Sequence, residues 1–385
     1  MIILNEKDAC CGCHACYQAC PVQAIEMKLD AEGFLYPEVD EEKCIRCRKC
    51  QNVCPILQQP KAEDVQKAFA CRAVETMERM SSSSGGFFAV LAKEVLEQGG
   101  CVWGAAFDEE FSVHHILIEN ESELQRIKGT KYVQSVIGNA YSKVKDELDQ
   151  EKLVLFSGTP CQVAGLKSFL DYNYDNLLCA DIICHGVPSP QVWKNYLSEK
   201  SGEKVVERVN FREKNQETGE TTLFYRFTDG TECHEQKQES LYMKGFIHNL
   251  YLRPSCFRCK FKGVNRSSDL TMGDFWSAKE FHPSMEDGMG VSAVIVHSET
   301  GLEWMEKIKN RLDIEQATMQ EIGLWNECLT KAVSPTERRS EFYKNWHEES
   351  LFSLIEKLTD RQNEGNPIKG ESFVSRMKRK IKNLF

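Results

Sequence analysis

The feature that most constrains this chain is a cysteine pattern written twice near its start. Cys10, Cys13 and Cys16 are followed by Cys20-Pro21, and Cys44, Cys47 and Cys50 by Cys54-Pro55, so both runs read C-x2-C-x2-C-x3-C-P. Three thiolates at two-residue gaps wrap three corners of an iron-sulfur cube, and the fourth cysteine of each run reaches the other cube. The expected ligand sets are therefore Cys10, Cys13 and Cys16 with Cys54, and Cys44, Cys47 and Cys50 with Cys20. Zinc is the alternative at any single C-x2-C pair, but the doubled triplet with its Cys-Pro favours two 4Fe-4S clusters. Cys11 falls outside the pattern and reads as a bystander.

Residues 1–58 thus resemble a bacterial-type two-cluster ferredoxin, a module that carries single electrons and leaves bond chemistry to other parts of a protein. Eighteen cysteines would suit a disulfide scaffold in a secreted chain. The start, MIILNEKDACC, has neither the basic residues nor the apolar stretch of a signal peptide, so the thiols are expected in a reducing cytoplasm. No apolar run approaches the ~20 residues of a bilayer crossing. The formal net charge of -10 argues against nucleic acid as a partner.

The polar linker ILQQPKAEDVQ closes this module, and a new region begins near Lys67. GGFFAVLAKEVLEQGG has helical periodicity, whereas CVWGAAF, VHHILIE and LVLFSG read as strands. VVERVNFRE and TTLFYRFTDGTECHE form a β-rich stretch with a DG turn, before SLYMKGFIHNLYL returns to helix. The fold class expected is α+β or mixed α/β: a two-cluster ferredoxin module at 1–58, then a mixed α/β region in two parts, 66–170 and 171–345, and a helical basic tail at 346–385.

Four loops interrupt the apolar rhythm. MSSSSGGFF runs Ser83, Ser84, Gly85 and Gly86 into a helix, where backbone N–H groups can receive a phosphate or simply cap the helix. IKGTKYVQS carries Gly129, Thr130, Lys131, Tyr132, Gln134 and Ser135. FSGTPCQVAGL sets Gly158, Thr159 and Cys161 between a buried strand and a helix, the usual place for ligands in open α/β sheets. Cys184 follows LLCADII, and Cys256 and Cys259 form a C-x2-C pair, so Cys161, Cys184, Cys256 and Cys259 can supply four corners of a third cube. Structural zinc and unrelated buried thiols are the alternatives on spacing alone.

Taken in order, SSSSGGFF, GTKYVQS, FSGTPCQVAGL, CHGVPSPQVW, NFREK, CFRCKFKGVNRSSDLTMGDFW and DGMGVSAVIV resemble the family of coenzyme F420 hydrogenase/dehydrogenase beta subunits over residues 66 to 345. The resemblance implies FAD beside a 4Fe-4S cluster. It implies flavin contacts at Ser83 to Gly86, at Gly129 to Tyr132 with Gln134 and Ser135, and near Gly158 and Thr159. It also places the third cluster on Cys161, Cys184, Cys256 and Cys259. The function so implied is an iron-sulfur flavoprotein oxidoreductase that exchanges electrons with a ferredoxin-type or other redox partner protein and acts on a small-molecule substrate, coenzyme F420 or another. Lys131 is a candidate for tuning the flavin, and His185 and Asp274 are candidates for handling protons. The alternative is an electron-carrying or redox-sensing component with no substrate of its own. In the tail, ESFVSRMKRKIKNLF is basic and amphipathic, suited to peripheral contact with the inner face of a membrane or to packing on the body.

Overall fold

The computed structural model describes residues 6–63 and 65–360. Each cysteine run folds into a tight loop ending in one helical turn, Ala15–Gln18 in the first and Lys49–Asn52 in the second. The two loops repeat one backbone trace. Gly12 (φ 70°) and His14 (φ 62°) in the first correspond to Arg46 (φ 54°) and Arg48 (φ 64°) in the second. Left-handed residues at alternate positions curl the chain around its thiols, a conformation that non-glycine residues adopt only when the surroundings hold it. Between the loops lies an antiparallel hairpin of β1 (Ile25–Leu29) and β2 (Leu35–Val39).

The remaining strands are β3 (Lys67–Ala73), β4 (Cys101–Phe107), β5 (Val113–Ile118), β6 (Val154–Gly158), β7 (Leu177–Ile182), β8 (Val206–Lys214), β9 (Thr221–Phe227), β10 (Glu232–Gln236), β11 (Leu270–Asp274), β12 (Ser292–Val296) and β13 (Leu312–Ala317). Eight of them form one mixed sheet in the order β13-β3-β12-β11-β7-β6-β4-β5. Its centre is parallel, with β4, β6, β7 and β11 pairing in that sense, and both margins are antiparallel. Both faces of the centre are covered. Leu155 and Leu178 join one buried cluster, while their neighbours Val154, Phe156, Leu177 and Cys179 join another on the opposite face. A strand buried on both sides needs an unbroken apolar run, which is why LVLF lacks the alternation of a half-exposed strand.

The stretches 66–170 and 171–345 interleave in this sheet: β3 lies between β12 and β13, and β6 pairs with β7. A smaller antiparallel sheet, β10-β9-β8, packs through Val209, Phe211, Leu223 and Tyr225 on the helices Pro190–Ser201, Leu241–Ile247 and Leu351–Asp360. Among the described residues no helix is long and apolar enough to cross a membrane. The amphipathic stretch expected within the tail, ESFVSRMKRKIKNLF, lies outside the described residues.

Candidate functional site

The ferredoxin loops bring their thiols together in crossed sets. Burial and the neighbouring Cys10, Cys54 and Cys50 push the Cys16 thiol far above its ordinary range, while the thiols acting on Cys50 are Cys47, Cys20 and Cys44. Cys20, Cys44, Cys47 and Cys50 line one hollow with Pro21, Val22 and Ile45. The fourth cysteine of each run therefore lies with the triplet of the other. The backbone N–H of Ala24 donates to Cys20 Sγ at 3.2 Å, a contact that stabilises negative charge on sulfur.

A second hollow opens at the carboxyl ends of the parallel strands. After β6, Thr159 caps the helix Pro160–Leu170 in a capping box with Gln162, and this fixes Cys161 in the first turn, its Sγ 3.1 Å from Thr159 Oγ1. After β7 comes Cys184, and the turn Pro254–Arg258 with the residue that ends it contributes Cys256 and Cys259. All four thiols line one hollow with Pro160, Gly186 and Phe261. Desolvation by burial, with the nearby Cys161 and Cys259 thiols, pushes Cys256 up to about 12, and Cys184 well above its ordinary value. The backbone N–H of Val187 points at Cys256 Sγ, 3.5 Å away. Among the described residues no three His, Cys, Asp or Glu side chains close as tightly as a single ion requires. Four thiols around one hollow are the donor set that a four-iron cube takes.

Cys11 is no isolated thiol. It is buried, lines this same hollow beside Cys161, and the Cys13 and Cys161 thiols both act on its titration. It therefore stands between a ligand of the first ferredoxin set and a member of the four-thiol group. Sequence spacing could not reveal this, because the contact with Cys161 is made only by folding.

The loops at 83–86 and 129–135 also meet. The N–H of Thr130 donates to Ser83 Oγ at 2.8 Å, and Lys131 Nζ donates to the carbonyls of Lys128 (2.8 Å) and Arg126 (3.1 Å). Desolvation pushes Lys131 down to about 7. Strand β8 brings Asn210, Arg212 and Lys214 to this region across a register shift between Asn210 and Glu213. A Cβ on Gly129 would lie 3.8 Å from Asn210 Oδ1. Arg212 pairs with Asp274 at 2.5 Å, while Lys214 Nζ donates to the carbonyls of Ser84, Arg79 and Met289, each at 2.7 Å. These residues lie in and beside the NFREK motif, whose side-chain roles the sequence does not announce.

Other expected positions face inward. Ser84 Oγ donates to the Val291 carbonyl, and the Gly85 N–H donates to Ser292 Oγ. A Cβ on Gly85 would stand 2.6 Å from the Cys71 carbonyl, so that glycine is required by packing, and Gly86 is the left-handed residue (φ 89°) that opens the helix Phe87–Glu97. Gln134 Nε2 donates to the Cys11 carbonyl at 3.0 Å, which makes Gln134 a joint between module and body. Ser135 Oγ lies 2.7 Å from His115 Nδ1, and Gly158 lies beside Gln162 and His115. Of the three candidate catalytic residues, no hydrogen bond among the described residues joins any two. Asp274 faces Arg212, and His185 Nε2 lies 2.7 Å from Asn249 Oδ1. A ladder of rings nevertheless connects the two regions, because Phe246 packs on His185 and on Tyr132, each with centroids 4.9 Å apart.

Residues 9–56 match the 4Fe-4S dicluster domain, and residues 151–321 match the C terminus of the coenzyme F420 hydrogenase/dehydrogenase beta subunit. The chain carries a 4Fe-4S dicluster domain followed by a domain similar to the C terminus of that beta subunit. Over 328 residues it is 21% identical to the F subunit of the F(420)H(2) dehydrogenase of Methanosarcina mazei, covering 80% of this chain and 85% of that protein. Among solved structures, a chain of the F420-reducing [NiFe] hydrogenase complex from Methanosarcina barkeri is 14% identical, with a TM-score of 0.46 over 81% of this chain and 95% of that one. The matched residues 151–321 contribute all four thiols of the four-thiol hollow and the whole of β8, while Cys11 enters from the dicluster module.

Proposed function

We propose that this chain is an iron-sulfur flavoprotein oxidoreductase that passes electrons between a redox partner protein and a two-electron small-molecule substrate, with coenzyme F420 as the first candidate. The observation that carries this reading is that Cys11, buried in the first ferredoxin loop, lines the four-thiol hollow beside Cys161, which sets that loop against the hollow. A third 4Fe-4S cluster in that hollow would be held by Cys161, Cys184, Cys256 and Cys259. FAD, when bound, supplies the exchange between single electrons and a two-electron substrate. Ser83 and Gly129 to Tyr132 would hold it, with Lys131 and Arg212 providing positive charge and β8 backing the loops. Pairing with Asp274 keeps Arg212 oriented.

Anaerobically purified protein is expected to hold ~12 iron atoms per chain. It should release FAD on denaturation and bleach that flavin when a reduced ferredoxin is supplied. Iron without any flavin would overturn the enzyme reading. A second reading, an electron carrier without its own substrate, draws support from the inward hydrogen bonds of Ser84, Gly85, Gln134 and Ser135, which leave fewer groups for a ligand. Bound flavin that turns over with deazaflavin or another small acceptor separates the two.

A further inference from the structure

Arg253 lies three residues before Cys256 and is 1% exposed. Its Nε donates to the Cys10 carbonyl at 2.7 Å, its Nη1 to Gln134 Oε1 at 3.0 Å and its Nη2 to the Leu35 carbonyl at 2.9 Å. The guanidinium carbon sits 4.2 Å from the centroid of the Tyr36 ring and 5.3 Å from that of Phe34. Gly12, left-handed at φ 70°, makes room for it, since a Cβ there would stand 2.8 Å from Nη1. All three acceptors are neutral.

Two other buried guanidiniums show the contrast. Arg266 binds Asp181 at 2.8 Å, and Arg79 binds Asp287 at 2.8 Å. Among the described residues no ion pair includes Arg253, and a cation taken out of water without a counter-charge is strongly unfavourable. The partners of Arg253 lead to the first ferredoxin run: Nε binds the Cys10 carbonyl, and Gln134, which accepts from Nη1, donates to the Cys11 carbonyl. A 4Fe-4S cube on four thiolates is itself an anion, and it becomes more negative by one charge when it accepts an electron. The cube anion is the missing counter-charge.

We infer that Arg253 is the fixed counter-ion of the first ferredoxin cube, a positioning residue that stabilises its reduced form and sets its potential above that of the second. Among the described residues the second cube has no buried counterpart: Arg46 and Arg48 in its loop are exposed, and water screens them. For the first cube the inference rests on the dicluster domain alone. Its extension to Cys256 rests on the proposed third cluster, and the test below leaves that extension aside.

The test is an anaerobic, EPR-monitored redox titration of the full-length protein, with the second cube as internal standard and total iron measured alongside. Arg253→Gln is expected to make reduction of the first cube at least tenfold less favourable, 59 mV for a one-electron couple, and to leave the second unmoved. Arg253→Lys keeps the charge but loses the fork, and is expected to retain full iron with the first potential within 59 mV of the unaltered protein. Should Arg253→Gln lose the first cube, the lysine variant still decides: full iron and an unshifted potential support a role through charge. Loss of iron in both variants, a larger shift in the lysine variant, or a fully loaded Arg253→Gln with unchanged potentials would overturn the inference.

Discussion

Gly165 lies directly beneath Cys13: a Cβ on that glycine would stand 2.9 Å from Cys13 Cβ and 3.1 Å from its Sγ. The helix Pro160–Leu170 that carries Cys161 near its start therefore serves, one turn later, as the floor on which the first ferredoxin loop rests. Ala15, Cys54 and Ile56 complete the contact against Val163 and Leu166. One helix thus holds members of both thiol groups in register.

Adding bulk at this floor should act on the first cube and not on the second. Gly165→Val is expected to cost about 1–3 kcal/mol through overpacking, and to lower the iron retained at Cys10, Cys13, Cys16 and Cys54. Iron content and the EPR signals of the two cubes measure this directly. Equal losses from both cubes, or none, would contradict the geometry.

Cys11 offers a complementary case. It lines the hollow beside Cys161 but belongs to neither expected set, so Cys11→Ser should keep all iron, whereas Cys13→Ala should lose most of one cube. If Cys11 lies on the path between the thiol groups, the serine variant should transfer electrons from the ferredoxin module to the flavin more slowly, with each cluster still reducible by dithionite. Stopped-flow bleaching of the flavin provides the measurement. Iron loss in Cys11→Ser would instead make Cys11 a ligand.

The first module was readable because its chemistry is local: ligands two or three residues apart appear in the sequence as they appear in space. The strand LVLF was readable for a similar reason, since burial on both faces leaves no polar residue to confuse its period. The joint between module and body was not. Arg253 reaches the carbonyl of Cys10 across 243 residues, and only folding pairs them. Gln134 and Ser135 show a different limit. They stand in a loop whose polar character suggests ligand contact, yet their side chains serve Cys11, Arg253 and His115 within the fold. Residues Asn210, Arg212 and Lys214 lie on a strand whose register shifts between Asn210 and Glu213, and nothing in NFREK tells which of them meets a loop some 80 residues earlier in the chain.

Iron analysis tests the four-thiol hollow. Replacing both Cys256 and Cys259 with alanine should remove about a third of the iron expected for three four-iron cubes, and leave both ferredoxin signals. The double variant removes two of the four thiols and leaves the loops around Cys10 and Cys44 intact. Unchanged iron, or zinc in place of iron, would show that the hollow holds no cube.

Lys131 gives the protein a pH signature that a bound anion should erase. Desolvation lowers this lysine to about 7, whereas in the unfolded chain it keeps its ordinary value of about 10.4. Below pH 7 both states carry the proton, and the fold bears the unfavourable half-buried charge in full. Between about pH 7 and 10 the unfolded chain binds the proton and the folded chain does not, so stability rises with pH through that window. Relative to Lys131→Met, which cannot titrate, the flavin-free protein should therefore gain thermal stability as pH rises from 7 to 10. An anionic flavin beside Lys131 would hold the proton on the amine and flatten that gain in the loaded protein. Thermal midpoints of both proteins, with and without FAD across this range, decide the matter: parallel curves without flavin would remove the titration, and an identical slope with flavin would put the flavin somewhere other than beside Lys131.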